Sequence, residues 1–560
     1  MQTARRLYIY LLTGISLGVL VAGLSMLLTV LLERIGLGPS GAQVSGGDVI
    51  GQQLTLASAL VVVSLPTWLI HWSAAERSVR PDRPAAPVER TTEIRGLFFA
   101  VALGALLLAA GLGVASVLET IIVRLAAADE FGSRSIGGGL ALAVVAGAAW
   151  LYHVAIRTRD WARGPMTGPG AWLPRTYMYV AAFIGLMFLL TGIGGLIEVV
   201  GRLVLDEPPL FNQPGDSAWW AFPLGSALAG ILVGGGAWVG HLVYANRLVR
   251  DPGWRGASER PARLRLGYFA AVLIAASAGT IFLLADSVGS MLAVPLGVSD
   301  GEDAPEIMGL ILLPLLSAVP YAIAWWQHGR WMEAEAVASG SDQRVETEDR
   351  LELYPVALVG LAFSATAVAW IIGVLIDAAF GGGRVFSGGD VWRRELAEWV
   401  PLALIGISVW IWRWRRIGDR WTVDPVGEAA STTRRAMLLI ALAASVLAGI
   451  AAAGLIFYRL FGSLFGISQS GDPVSELSTP LGVLLVAVVV AAYHGIQLRR
   501  DQSLRPDVVP SAGEPTAVAP RVELRLSGPP GADPSGVVAA LRLQLPPGYV
   551  LEAIEENMAP

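Results

Sequence analysis

The chain has 560 residues, of which 54% are hydrophobic and 15% charged, and its mean hydropathy is +0.59. This composition lies outside the usual range of soluble proteins. There is no cysteine and every one of the 40 basic residues is arginine, which excludes disulfides, thiolate metal sites and lysine Schiff-base chemistry. We therefore expect a polytopic membrane protein, in which the position of charges matters more than the net charge of −5.

Long uncharged runs predict twelve transmembrane helices, since about 20 helical residues cross roughly 30 Å of hydrocarbon. The first run follows Arg5 and Arg6 but is much longer than the apolar core of a signal peptide, so we interpret it as a spanning helix. The predicted spans are 7–32, 54–73, 96–118, 136–156, 177–200, 219–243, 266–294, 307–328, 354–380, 399–414, 436–461 and 479–498.

The twelve spans pair into repeated two-helix hairpins, each with a polar loop between its helices. Only eight of the 40 arginines lie in the loops within hairpins. The positive-inside rule therefore predicts that both termini and the loops between hairpins are cytoplasmic. We expect the protein to lie in the plasma membrane. The hairpins all enter in the same sense and are parallel repeats. Their predicted boundaries are 1–80, 81–162, 163–252, 253–338, 339–425 and 426–501.

Glycine pairs at a spacing of four residues permit close contact between membrane helices. Three such pairs lie within the predicted spans: Gly14 with Gly18, Gly230 with Gly234, and Gly236 with Gly240.

A Trp-x-x-His motif recurs near the end of the second helix of each hairpin, and it holds all five histidines of the protein. We interpret it as a motif at the membrane interface, where the tryptophan belongs to the aromatic belt and the histidine is a polar interfacial residue. In a variant of this interpretation the histidine caps carbonyl groups of a neighbouring helix. Ligation of a haem or pigment and a proton-transfer role are alternatives. Its residues are Trp68, His71, Trp150, His153, Trp238, His241, Trp325, His328, Trp410, Arg413 and His494.

Acidic residues recur near the other end of the first helices. We interpret them as solvated or paired carboxylates at the outer rim of the membrane, because they fall in the last turns of their helices. The alternative is a solute or ion path, for which Glu119, Glu198 and Asp286 are the candidates because they are set furthest into apolar sequence.

The last part of the chain changes in character. Residues 502–520 are rich in proline, alanine and serine and are interpreted as a linker. Residues 521–560 predict a small cytoplasmic β-α-β segment, too short to be stable alone, which would associate with another protein or another copy.

Over roughly residues 1–501 the sequence resembles a bacterial membrane family catalogued as domain of unknown function 5671. The likeness is carried by RRLYIYLL at residues 5–12, RTYMYV at 175–180 and LPTWLIHW at 65–72. The fifth motif departs by having Arg413 in place of histidine, and the sixth has no tryptophan. The resemblance implies a membrane architecture and no known activity.

The sequence thus predicts an all-α polytopic membrane protein and no enzyme, since no nucleophile, phosphate-binding or dinucleotide motif occurs in a suitable context. We expect a non-catalytic scaffold or interaction protein in contact with the lipid bilayer, without cofactor or metal. A transporter or channel is the first alternative, and a haem- or pigment-binding protein the second. Nucleic acid is not expected as a partner, because membrane topology explains the arginine-rich loops.

Overall fold

The chain divides into two compact units, Met1–Arg505 and Pro506–Pro560. The computed structural model describes residues of the first unit only. The described ranges are 2–38, 47–126, 135–163, 169–206, 218–253, 263–298, 303–338, 342–380, 391–465 and 473–504, together with Gly256 and Glu259.

Every regular element of the described ranges is helical. We number the α-helices in chain order; short π-helical turns at Glu33–Leu37 and Gly230–Gly234 follow α1 and join α7 to α8. The helices are α1 Gln2–Leu32, α2 Gly47–Ser78, α3 Ala86–Arg90, α4 Glu93–Leu125, α5 Ile136–Ala162, α6 Pro169–Leu205, α7 Ala221–Ala229, α8 Gly235–Arg250, α9 Arg263–Ala293, α10 Ala304–Ala338, α11 Asp342–Phe380, α12 Val391–Val423, α13 Pro425–Ala430, α14 Thr432–Leu464 and α15 Pro473–Ser503.

In the described part of the chain, twelve helical segments, with α7 and α8 counted as one, are long and apolar enough to cross a membrane, as the sequence predicted. In lipid a helix satisfies its own backbone groups, so uninterrupted apolar runs adopt this form. Several helices extend beyond the predicted spans. The span predicted at 399–414, for example, is the middle of α12, because its charged flanks continue the helix past the apolar part. The predicted β-α-β segment at 521–560 lies outside the described residues and has no support from the structure.

Consecutive helices pack against each other as six hairpins. Their first helices are α1, α4, α6, α9, α11 and α14, and their second helices are α2, α5, the α7–α8 pair, α10, α12 and α15. Each of the first five first helices also contacts the second helix of the following hairpin, and neighbouring first helices touch. The hairpins therefore form a row in which each one is held by the next.

Glycine allows the closest approaches between the helices of a hairpin. A Cβ atom added to Gly113 of α4 would lie 2.5 Å from the backbone nitrogen of Ala143 on α5. Gly185 and Gly192 of α6 meet the backbone of α8 and of the π-helical turn in the same way. At these glycines the two helices of a hairpin are therefore in direct backbone contact, and there is no room for a side chain.

Candidate functional site

All five histidines bind the backbone of their own helix. In each case the ring Nδ1 lies 2.7 or 2.8 Å from the carbonyl oxygen four residues earlier. The carbonyl can only accept, so Nδ1 carries the proton and Nε2 is left as an acceptor. The capping interpretation expected carbonyls of a neighbouring helix and was wrong on this point.

Two of the histidines complete a hydrogen-bonded chain between hairpins, which we call the Trp–Tyr–His bridge. The indole of Trp150 donates to the hydroxyl of Tyr177 at 2.9 Å, and that hydroxyl donates to Nε2 of His241 at 2.9 Å. The tryptophan belongs to hairpin 2, and the tyrosine and histidine to hairpin 3. The same bridge joins hairpins 3 and 4 through Trp238, Tyr268 and His328, with distances of 3.0 and 3.1 Å.

Removing the hydroxyl from this bridge should destabilise the protein. We expect Tyr268→Phe to lower the free energy of unfolding by about 1–3 kcal/mol, because it leaves both the Trp238 indole and His328 without their buried partner. Unfolding in mixed detergent and dodecyl sulfate would measure the loss. Tyr321→Phe is the control, since Tyr321 lies in the same cluster without a hydrogen bond; equal losses in the two variants would contradict the bridge.

Hairpins 2 and 6 use a second arrangement. Here the tyrosine directly precedes the histidine in the sequence. Its hydroxyl accepts a hydrogen bond from a tryptophan of the preceding hairpin that lies four residues after the motif tryptophan. Trp72 donates to Tyr152 at 2.7 Å, and Trp414 donates to Tyr493 at 2.6 Å. The neighbouring His153 and His494 are buried, and their Nε2 atoms have no hydrogen-bond partner in the described part of the chain.

In the fifth hairpin Arg413 occupies the histidine position. Its side chain is 3% exposed, donates to Glu352 at 2.9 Å and lies over the ring of Trp325, the motif tryptophan of hairpin 4, at 5.6 Å. Trp150 contacts His241 at a comparable 6.4 Å between ring centroids. The arginine therefore preserves the contact between hairpins with a cation–π interaction instead of a neutral ring.

The first copy of the motif has no preceding hairpin to contact, and the last copy lacks the tryptophan. His71 packs edge-on against Tyr8, whose side chain is exposed, and Trp68 stacks on Trp72. The first Trp–Tyr–His bridge thus begins only at hairpin 2. In the sixth copy Ala491 stands at the tryptophan position, and Trp410 of hairpin 5 reaches Tyr493 by an edge contact.

A layer of buried arginines lies beside the motifs and was not predicted. Arg95, Arg265 and Arg434 begin the first helices of the even hairpins at intervals of about 170 residues. Each pairs with a carboxylate at the end of its own hairpin, namely Asp160, Glu335 and Asp501. Their regular spacing of about 170 residues, which equals two hairpins, is the sequence signal from which these arginines could have been predicted.

The odd hairpins contribute a matching set of contacts. Glu259 is fully buried, accepts a hydrogen bond from Tyr179 at 2.7 Å and forms an ion pair with Arg175 at 2.8 Å. Glu428 likewise binds Tyr354 at 2.6 Å and Arg350 at 3.0 Å. In the first pair of hairpins, Arg6 binds Glu89, Tyr10 accepts from Arg95, and Arg95 also binds Glu76. We call the side that holds the motifs and this layer the motif face.

The three candidate path carboxylates lie at the opposite face. Glu119, Glu198 and Asp286 follow the arginines that begin their helices by 21 to 24 residues, or about 35 Å of helix. Glu119 accepts from Ser226 at 2.8 Å, and Glu198 pairs with Arg202 at 3.0 Å. Asp286 is exposed and within electrostatic range of Glu198. The structure therefore brings two of the three near each other and keeps Glu119 apart, between α4 and α7.

No group of three or more histidine, cysteine, aspartate or glutamate side chains that could hold a metal is found among the described residues. A cleft within the described residues lies at the motif face of hairpin 5. Its volume is about 270 Å³, and its lining is Asp349, Glu352, Leu353, Arg416, Asp419 and Arg420.

Twelve apolar helices paired in a row, with ionic and aromatic layers at one face, define a multi-pass membrane protein. The chain belongs to the family described as domain of unknown function (DUF5671), whose sequence profile matches residues 6–148, 175–325 and 350–489. Each stretch contains four of the apolar helices, so the family's unit is a pair of hairpins, in agreement with the spacing of the buried arginines. No curated protein matches the chain. No solved structure matches it either.

Proposed function

We propose that this protein is a non-catalytic membrane scaffold whose hairpins form a rigid platform for a partner protein. The observation that supports this proposal most is that the recurring polar residues form hydrogen bonds and ion pairs with one another. Trp150, Tyr177 and His241 bond to one another across two hairpins, and the buried arginines pair within the same layer. These groups hold the row of hairpins together, and a rigid platform is what such bonding supplies.

In this proposal the motif face and both termini are cytoplasmic, because the loops at that face carry most of the arginines. The linker at 502–520 then presents residues 521–560 to a cytoplasmic protein or to another copy. The proline-, alanine- and serine-rich composition of residues 502–520 is typical of linkers that tether one segment of a chain to another, which supports this role.

A transporter or channel is the second candidate. The observation that favours it is the proximity of Glu198 and Asp286 on neighbouring first helices, since paired carboxylates can attract a cation. Both side chains are exposed at the face opposite the motifs, and Glu198 is already paired with Arg202. These features fit a solvated rim better than a path through the membrane.

A haem- or pigment-binding protein has less support. In His241 and His328, Nδ1 donates to the backbone and Nε2 accepts from a tyrosine, so ligation through Nε2 would break the bond to the tyrosine at each site. His153 has a free Nε2, but its ring is enclosed by Trp72, Phe98 and Phe99. A planar macrocycle would have to displace these aromatic side chains.

The scaffold proposal predicts that the purified protein melts at the same temperature with or without a panel of metal ions, haem and small metabolites that carry no phosphate. A ligand that prefers the folded state stabilises it by mass action, so a transporter substrate in the panel would raise the melting temperature. In the native host, deletion of residues 502–560 should reproduce the phenotype of deleting the whole gene while the membrane part is still present.

The double variant Glu198→Gln/Asp286→Asn separates the scaffold from a transporter. A shift caused by a cation and lost in this variant would overturn the scaffold in favour of transport. A visible absorption band, or a shift with haem that needs His153 or His494, would do the same in favour of a pigment protein.

A further inference from the structure

Arg157 is a buried cation that the row of hairpins does not use. It lies one turn beyond His153 on α5, at the motif face where hairpin 2 meets hairpin 3, and is 8% exposed. Its guanidinium stacks on Trp161 at 5.5 Å, and its Nη2 atom has no hydrogen-bond partner among the described residues. Tyr177 and Tyr244 are also close enough to interact with it electrostatically.

Glu259, a carboxylate in electrostatic range of Arg157, is already engaged. It forms an ion pair with Arg175 and accepts a hydrogen bond from Tyr179. Among the described residues, the guanidinium groups of Arg157 and Arg175 beside this carboxylate give the junction an excess of positive charge. A buried charge without a counter-charge is unfavourable, so an anion that reached this junction would bind with a gain in electrostatic energy.

Comparison among the hairpins indicates that Arg157 does not serve packing. The position four residues after the histidine, or after Arg413, is apolar in the other five hairpins: Ala75, Ala245, Met332, Ile417 and Leu498. The other buried arginine on a second helix, Arg413, has Glu352 as its partner. Among the described residues, Arg157 is therefore the one buried arginine on a second helix that has no carboxylate partner. It lies between the first two stretches that match the family, 6–148 and 175–325.

We propose that Arg157 binds a phosphate-bearing anion between hairpins 2 and 3 at the motif face. A planar guanidinium offers paired N–H donors that match phosphate oxygens. The site lies at the depth of lipid headgroups, where basic pockets between helices bind anionic phospholipids. The anion is therefore the headgroup phosphate of an anionic lipid or a free phosphate, and the site does not depend on the scaffold proposal.

The test is melting of the detergent-purified full-length protein during titration with phosphatidylglycerol, phosphatidylcholine or inorganic phosphate. Phosphatidylglycerol should raise the melting temperature of the wild type, and Arg157→Met should weaken its apparent affinity about fivefold or more. Without added lipid, Arg157→Met should melt no lower than the wild type, because a methionine fills the equivalent position in hairpin 4.

Arg163→Gln is the matched control, since it removes an exposed arginine at the end of the same helix. The control should keep the wild-type response. A response to inorganic phosphate would identify a free phosphate as sufficient, whereas a response to phosphatidylglycerol alone would identify the lipid. No response to either, or equal losses in Arg157→Met and Arg163→Gln, would overturn the site. Arg157→Gln provides a second variant, judged by the same loss, if the methionine variant does not fold.

Discussion

Asp501→Asn is expected to destabilise the protein by about 3–5 kcal/mol, the usual effect of leaving a buried ion-pair partner without its counter-charge. Asp501 accepts from Nε of Arg434 at 2.7 Å and from Nη2 at 3.2 Å, and the two side chains are 2% and 3% exposed. The pair closes hairpin 6 by joining the start of α14 to the end of α15. The midpoint of unfolding in a dodecyl sulfate titration would measure the loss.

The loss of stability in Asp501→Asn can be compared with the losses in variants of two other carboxylates. Asp160→Asn should cost less than Asp501→Asn, because Arg95 keeps Glu76 as a second partner at 2.9 Å. Glu198→Gln should cost less than about 1 kcal/mol, since the Glu198 side chain is 55% exposed and its ion pair with Arg202 is screened by solvent. If Asp501→Asn is no more damaging than Glu198→Gln, the Arg434 pair does not hold the hairpin.

Gly113→Val is expected to destabilise the protein by about 3 kcal/mol, at the upper end of the usual range for overpacking. A Cβ atom at Gly113 would lie 2.5 Å from the nitrogen of Ala143 and 2.6 Å from the oxygen of Gly139. Both contacts are with backbone, so no side-chain rotation can relieve them and the two helices must separate. Thermal melting and dodecyl sulfate unfolding would both show the loss.

Gly147 provides the control within the same hairpin. It lies on α5, and a Cβ atom added to it meets nothing within 4 Å. Gly147→Val should leave stability unchanged or slightly higher, because valine has a better helix propensity than glycine. A loss in Gly147→Val as large as that in Gly113→Val would show that the effect is not one of helix contact.

Spacing alone could not distinguish glycines that pack from glycines that face outward. Gly230 and Gly234 approach the backbone of α6, as the four-residue spacing predicted, whereas nothing lies within 4 Å of a Cβ added to Gly236 or Gly240. The two pairs have the same sequence pattern and occur within eleven residues. The direction in which each glycine faces depends on the rotation of the helix, which the neighbouring helices decide.

The motif residues illustrate a similar limit. Their recurrence and their depth near the helix ends were predictable, because hydropathy and arginine position are local properties of the chain. Which tryptophan meets which histidine was not predictable, because Trp150 and His241, like Trp238 and His328, come from different hairpins and are about 90 residues apart. Arg413 shows the consequence. In sequence it interrupts the histidine pattern, and in the structure it makes the equivalent contact with Trp325.

The sequence by itself determined that this is an all-α membrane protein with twelve apolar helices and a recurring aromatic and histidine motif. Those features follow from the length and polarity of contiguous segments, which lipid translates directly into helices. Only the tertiary structure decided that the motifs bond successive hairpins and that the arginines at the motif face pair in sets two hairpins long. It also decided that Arg157 forms no ion pair of its own among the described residues. Each depends on side chains brought together from distant segments, and no local property of the chain records which of them meet.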